Sequence, residues 1–472
     1  MTFNKKYENE PESFGLSWIG KKHAKILAHT PPQSILQPEN IKAHKNKEEN
    51  SSHLMIKGDN LEVLKHLLKD YAGKIKMIYI DPPYNTGTEN FLYEDKKHLT
   101  AQALAGFKRI EIEEAQDLLK DFNKNETSHS AWLSFMYPRL YVARQLLKRE
   151  GVIFISIDDR ELAYLRLLMD EIFGEDNFVG LFKWNKTSTP PSLSNKIRQK
   201  YEYILCYEKE KNAQIFYGGT ENGGDMPLLN EGNSIKILKF PPHSVHFKIK
   251  GKFPEGIYHN IRLLDSLEIK NEGLYPHAFK MEGAFKWSQE YLNKQIAKGT
   301  ELIVKSEKFS IRYKKKGQRI KKPDDIISKT QCGVGTNADA KKELFQIFGL
   351  KNMFDYPKPV SLLKYLINFK VKPDKEEIIL DFFAGSGTTG DAVLQLNKED
   401  GGNRKFILIQ SDEKIDPQKN QAAYRFFKEK NIKNPGIFDI TRERILRVKN
   451  RLKMNNNTDN QIRFYSLKEN PE

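Results

Sequence analysis

Four short runs of this chain are apolar at almost every position: Met77-Ile78-Tyr79-Ile80, Val152-Ile153-Phe154-Ile155-Ser156-Ile157, Glu377-Ile378-Ile379-Leu380 and Phe406-Ile407-Leu408-Ile409-Gln410. Runs of this length suit strands, and without polar alternation both faces of each strand must be buried. Such strands belong in a parallel sheet covered by helices on both sides. The intervening chain agrees. After Gly58-Asp59-Asn60, the residues Leu61, Leu64, Leu67 and Leu68 make one helical stripe that leads into the first run. A second stripe carries Trp132, Leu133, Met136, Leu140, Ala143 and Leu146-Leu147, with Gly151 expected to stop it. Further helices are expected from Glu161 to Phe173 and from Ser361 to Phe369, and Tyr201 to Tyr207 reads as another strand. The expected fold class is α/β, with a mostly parallel, doubly wound sheet joined by right-handed crossovers.

Open sheets of this kind bind ligands at the carboxyl ends of their strands. Two strand ends stand out. The first run is cut off by Asp81-Pro82-Pro83-Tyr84, since neither proline can donate to a sheet ladder. The resulting corner carries one carboxylate, carbonyls freed from the ladder and one aromatic ring. That set suits a flat molecule bearing an amino group. The third run enters Asp381-Phe382-Phe383-Ala384-Gly385-Ser386-Gly387-Thr388-Thr389-Gly390, a strand, a glycine turn and a helix start. Glycines let backbone approach a ligand, and the helix start offers free N–H groups. By itself Gly385-x-Gly387-x-x-Gly390 fits a nicotinamide enzyme, another adenosine cofactor or a plain tight turn. The strand after it ends in Gln410, where an acid commonly holds a ribose, with Asp412 two residues on. Asp59 or Asn60 reads equally as a helix cap or a ligand contact.

Charge points to a polyanion. The 472 residues carry a formal net charge of +16, which favours a nucleic-acid partner. Basic clusters occur at Lys42–Lys47, at Lys196, Arg198 and Lys200 in a Ser/Thr/Pro loop, and at Lys314, Lys315, Lys316 and Arg319, where Phe309 and Tyr313 lie nearby. The last cluster sits in a stretch, 209–330, where the β-α alternation is lost and a separate β-rich module is expected. The two cysteines, Cys206 and Cys332, form no metal or disulfide pattern, and no metal ligands are expected. With no membrane-length apolar run, a cytoplasmic protein is expected. Residues 95–128 read as a helical insertion or lid.

Together the Asp-Pro-Pro-Tyr and Asp-Phe-Phe-Ala-Gly-Ser-Gly segments resemble the S-adenosylmethionine-dependent amino-methyltransferases of DNA. Their order, with a long segment between, is similar to the β-class of N6-adenine enzymes. Lys57 to Asn60, Trp132 to Leu140, Val152 to Asp159, Glu202 to Leu205 and Pro357-Lys358-Pro359-Val360 resemble blocks of the modification (Mod) subunits of type III restriction-modification systems. The resemblance implies a methyltransferase fold of permuted motif order with an inserted target-recognition domain. It divides the chain into an N-terminal arm (1–50), a catalytic half (51–208), the recognition domain (209–330), a cofactor half (331–415) and a basic tail (416–472). It implies that Asp81, Pro82, Pro83 and Tyr84 grip the target adenine. Asp59, Lys358, Pro359, Asp381, Phe383, Ala384, Gly385, Gly387 and Gln410 would hold S-adenosylmethionine, with Lys358-Pro359 near its carboxylate. The basic clusters from Lys196 to Lys200 and from Lys314 to Arg319 would meet double-stranded DNA. The resemblance leaves room for a homodimer and a restriction (Res) subunit as partners. Aspartate in place of serine at the corner favours adenine over cytosine N4. The alternatives are a cytosine-N4 or RNA-base methyltransferase, a nicotinamide-dependent oxidoreductase, and a DNA-binding subunit without catalysis.

Overall fold

All four apolar runs become neighbours in one sheet. The structure is a computed structural model that describes residues 15–39, 52–86, 112–113, 129–189, 196–222, 224–370, 376–454 and 461–469. The expectations for 42–47 and for most of 95–128 lie outside these residues. The chain forms two units, one of 1–216 with 323–472 and one of 217–322.

In the larger unit, numbered in chain order, the helices of nine residues or more among the described residues are α1 Lys21–His29, α2 Asn60–Tyr71, α3 His129–Leu146, α4 Leu162–Phe173, α5 Asn337–Phe348, α6 Val360–Asn368, α7 Thr388–Asp400, α8 Gln421–Glu429 and α9 Ile437–Arg451. The strands are β1 Ser34–Pro38, β2 His53–Lys57, β3 Ile75–Ile80, β4 Leu147–Ile157, β5 Phe178–Asn185, β6 Tyr201–Glu208, β7 Ile326–Ile327, β8 Ile378–Asp381, β9 Lys405–Gln410 and β10 Ile462–Glu469. They lie in the order β1-β10-β2-β9-β8-β3-β4-β6-β5-β7. The six from β10 to β4 run parallel, while β1 and β6 are antiparallel to their neighbours.

Continuous apolarity is explained by two cores. Along β3, Ile78 and Ile80 face a cluster with Leu64, Trp132 and Leu140 from α2 and α3. Met77 and Tyr79 face the opposite cluster, with Leu363, Val393 and Val448 from α6, α7 and α9. From β3 the chain moves on to β4 on one side, and from β8 to β9 on the other. The order therefore switches between β3 and β8, and that switch point is where a crevice opens in such sheets.

Several expectations need correction. Gly151 does not end α3. The helix stops at Leu146, and Gly151 lies inside β4. The pairing of β3 with β4 shifts register between Ile75 and Met77, which accommodates the extra residues before Val152. In the described part of the N-terminal arm, Trp18 Nε1 donates to Ser134 Oγ of α3 at 3.0 Å and β1 pairs with β10. The tail is likewise built into the fold: β10 lies between β1 and β2, and α9 packs on the second core. Gly58 has φ +151, and a Cβ there would lie 2.5 Å from Leu467 of β10. Only glycine therefore lets this last strand seat against the end of β2.

The smaller unit, 217–322, lies within the expected 209–330. Outside it, Phe216 packs on Phe369 and β7 pairs with β5. The unit holds a four-stranded sheet of Gly256–Tyr258, Ile261–Leu263, Phe279–Gly283 and Lys236–Phe240, a five-stranded sheet, and one helix, Gln289–Ala297. Phe240, Phe247, Phe279, Phe285 and Phe309 form its core. Its sequence carries 20 Lys and Arg against 11 Asp and Glu, so it holds more than half of the net charge. No helix among the described residues is long and apolar enough to cross a membrane.

Candidate active site

The two motifs, some 300 residues apart, stand at the ends of adjacent parallel strands: Ile78 of β3 pairs with Leu380 of β8. At the first, Pro82 and Pro83 stop β3, and Trp132 of α3 donates Nε1–H to the Pro83 carbonyl at 2.7 Å. Asn85 follows with φ +59 and is buried. Its Nδ2 donates to Glu161 at 2.6 Å, and Arg160 donates to its carbonyl. The corner is thus pinned from α3 and from the start of α4. Its Asp81 side chain is 24% exposed.

At the second, Asp381 organises the turn. Its Oδ1 accepts from Phe383 N at 3.0 Å and its Oδ2 from Thr389 Oγ1 at 2.5 Å. Gly385 and Gly387 have φ +51 and +82, left-handed values that favour glycine. Ala384 N donates to the Ile409 carbonyl, Gly385 N donates to Gln410 Oε1 at 2.8 Å, and Thr441 Oγ1 of α9 donates to the Gly385 carbonyl at 2.6 Å. Arg444, also on α9, donates to Ser386 Oγ and Thr388 Oγ1 and pairs with Asp391. Gln410, where an acid was the commoner expectation, supports the turn directly.

Burial pushes the Asp381 carboxyl up to about 7, opposed by the Thr389 and Phe383 hydrogen bonds and reinforced by the nearby Asp81 charge. The sign follows from linkage. Because the folded value lies above the unfolded one, this group's contribution to stability is complete below about pH 4 and is lost as pH rises through about 7. In the ligand-free protein, Asp381→Asn is therefore expected to abolish part of the stability loss between pH 6 and 8. Urea unfolding of both proteins at the two pH values checks this.

The turn after β2 lies beside β9, with Lys57 paired to Gln410. Asp59 caps α2 by accepting from Glu62 N at 2.9 Å, and its other oxygen takes Arg139 at 3.0 Å. Arg139 is buried in α3 and also donates to Asn60 Oδ1 at 2.5 Å, while Asn60 Nδ2 reaches the Phe382 carbonyl. Three strand ends are thereby tied into one floor.

Lys358 touches both motifs. Its backbone carbonyl accepts from Thr388 Oγ1, and Pro359 caps α6, so both lie beside the glycine turn. Its ammonium instead reaches Asp81 Oδ1 and Oδ2 at 2.7 and 2.6 Å and Tyr84 Oη at 3.1 Å. The physical reason is charge: Asp81 and, at 3.5 Å, Glu202 of β6 draw the buried cation. Burial works against the ammonium, yet these two carboxylates outweigh it and hold the Lys358 pKa above the usual lysine value. Burial would raise Glu202, but Lys358 and Lys186 hold it below the ordinary carboxylate range. Tyr84 donates to Asp81 Oδ1 at 2.7 Å. Burial and then the Asp81 and Glu202 charges push its hydroxyl well above 10, so it remains a donor.

Lys196, Arg198 and Lys200 are exposed in the larger unit. In the smaller one, Lys314, Lys315 and Lys316 are exposed and Arg319 lies in the strand Gln318–Ile320. The aromatics expected among these cations are not free. Phe309 is fully buried in the core, and Tyr313 packs on Trp287 with ring centroids 4.4 Å apart. Sequence reasoning missed Arg139, Thr441 and Arg444 and gave Glu202 no role. Their signal was a charge or hydroxyl at positions where helix or strand periodicity calls for an apolar residue.

Two neighbouring strand ends, each carrying a carboxylate and one continuing into a glycine turn, thus meet at the switch point of an α/β sheet. The chain belongs to the N6/N4 DNA methylase family, whose profile matches residues 75–419. Within it, the chain is similar to Mod subunits. It is 38% identical to the type III restriction-modification enzyme EcoPI Mod subunit of Escherichia phage P1, over 93% of this chain and 69% of that one. It is 34% identical to the EcoP15I Mod subunit of Escherichia coli, over 98% of this chain and 72% of that one. The type II methyltransferase M.KpnI of Klebsiella pneumoniae is 31% identical, over 78% of this chain and 82% of its own length.

Proposed function

We propose that the chain is the modification subunit of a type III restriction-modification system, methylating the N6 amine of a flipped-out adenine in double-stranded DNA. The adjacency of the Asp81 corner and the Asp381 turn at the switch between β3 and β8 carries this reading. The turn suits S-adenosylmethionine: its glycine backbone permits close approach, and Asp381 is a buried carboxylate with no cation among the groups that shift it. Asp59, Pro359, Asp381, Phe383, Ala384, Gly385, Gly387 and Gln410 would hold the cofactor, which when bound supplies a methyl group on a positively charged sulfur.

The adenine amine is a poor nucleophile because its lone pair is delocalised into the ring. Asp81 and the Pro82 carbonyl accept its two N–H bonds and turn that lone pair out of the ring plane. Tyr84 replaces part of the stacking lost on flipping, about 1–3 kcal/mol. The amine nitrogen gains the methyl carbon and loses one proton, and the Asp81 carboxylate favours the positive charge that develops between. The smaller, strongly basic unit is proposed to recognise the DNA sequence, with its Lys314, Lys315, Lys316 and Arg319, and with Lys196, Arg198 and Lys200 of the larger unit, on phosphates. A Res subunit and a second copy of the chain are the proposed protein partners.

Transfer of labelled methyl from S-adenosylmethionine to duplex DNA, with digestion to nucleosides, tests this. N6-methyladenine is the expected product. N4-methylcytosine or label in RNA would replace the substrate class, and reduction of a nicotinamide cofactor without any transfer would overturn the reading.

A further inference from the structure

Four charged side chains meet behind the corner, and gripping an amine uses only Asp81. Lys358 and Glu202 are 7% and 10% exposed, and Glu202 continues to Lys186, 25% exposed, at 3.1 Å. Stability does not explain such a cluster, since replacing a buried ion pair by apolar residues is often neutral or favourable. Position does suggest a use. Each carboxylate oxygen offers two acceptor sites. On Asp81, Oδ1 already takes both Lys358 and Tyr84, while among the described residues Oδ2 takes Lys358 alone. Oδ2 therefore keeps one site for the amine, on the same oxygen that Lys358 touches from behind.

Methyl transfer, the reading on which this rests, leaves a surplus proton. The N–C bond forms as the C–S bond breaks, the bonding pair stays on sulfur, and the nitrogen must shed one hydrogen to give neutral N6-methyladenine. We infer that Lys358 and Glu202 are the outlet for that proton, acting through Asp81. Asp81 Oδ2 takes it from the nitrogen. Lys358 gives one of its own hydrogens to Glu202 in the same step in which it takes the proton from Asp81, so it is an ammonium before and after. Glu202 then loses the proton to water beside Lys186. Tyr84 Oη, which donates to Asp81 at 2.7 Å and lies 3.3 Å from Glu202, runs beside the same route.

Glu202→Gln keeps the shape of the side chain but cannot take up a proton. Single-turnover transfer of labelled methyl to DNA, run in H2O and D2O, reads the step. The variant is expected to be about 100-fold slower and to show a solvent deuterium effect that the wild type lacks. Lys358→Met should behave likewise, Glu202→Asp should recover part of the rate, and calorimetric affinity for S-adenosylmethionine should be unchanged in Glu202→Gln and Lys358→Met. A Glu202→Gln rate equal to wild type overturns the inference, as does slowing without a solvent effect, which marks a structural role. Loss of cofactor affinity in Lys358→Met assigns that lysine to the cofactor and overturns it too. A wild type that methylates no nucleic acid overturns the methyltransferase reading and this inference together, whereas normal wild-type transfer with unaffected variants sinks the inference alone.

Discussion

Asp81→Ala is expected to slow the methyl-transfer step by roughly 100- to 1000-fold, the usual loss when one preorganised electrostatic partner of a developing charge is removed. The carboxylate opposes the positive charge on the amine nitrogen only as transfer proceeds, so the loss should fall on kcat and leave affinity for S-adenosylmethionine nearly intact. The structure adds a second consequence. Lys358 makes its two shortest contacts to Asp81, and without them a buried ammonium is left with Glu202 at 3.5 Å and the Tyr84 hydroxyl. Alanine should therefore also cost stability, and a slower reaction by itself would be ambiguous. Asp81→Asn separates the effects, because it keeps the volume and one acceptor but removes the charge. Rapid-quench single turnovers, with unfolding curves for all three proteins, check this. An asparagine variant that is well folded, binds cofactor and transfers methyl at the wild-type rate would exclude the carboxylate from the chemistry.

How much of this was legible from the sequence follows from where the information is local. The strands β3, β4, β8 and β9 were legible because a strand buried on both faces must be apolar throughout. The Asp81 corner and the Asp381 turn were legible because prolines and glycines there have few other uses. The sheet's rim was not. β1 and β10 are partly exposed and broken by polar residues, as at Gln37 and Lys468, so they have no continuous apolar signature, and what fixes them is a neighbour hundreds of residues away. Basic runs misled in one respect: Phe309 lies among cations in sequence but in a core in space, and Tyr313 packs against that core while Lys315 stays beside its ring. Buried polar ties such as Arg139 to Asp59 were hidden for the same reason, since each partner looks like an ordinary surface residue until the fold joins them.

Arg444 shows what the missed residues contribute, and Arg444→Met is expected to be the more damaging change to the fold. Arg444 and Asp391 are both 0% exposed and pair at 3.0 Å. Removing one partner strands the other charge in the core, which costs about 3–5 kcal/mol. Removing both should not: Arg444→Met with Asp391→Leu leaves no orphaned charge and should recover most of the stability. The cofactor turn responds differently. Arg444 Nη1 holds Ser386 Oγ at 3.0 Å and Thr388 Oγ1 at 2.9 Å, and neither contact returns in the double variant. Glycines in left-handed conformations rely on such outside contacts, because their own backbone freedom works against a single ordered shape. The double variant should thus unfold near the wild-type denaturant midpoint yet bind S-adenosylmethionine more weakly than wild type. Unfolding curves and calorimetric titration of the three proteins decide the matter. If restoring stability also restores cofactor affinity, α9 is only a brace for the core; if the two separate, α9 is part of the machinery that shapes the cofactor turn.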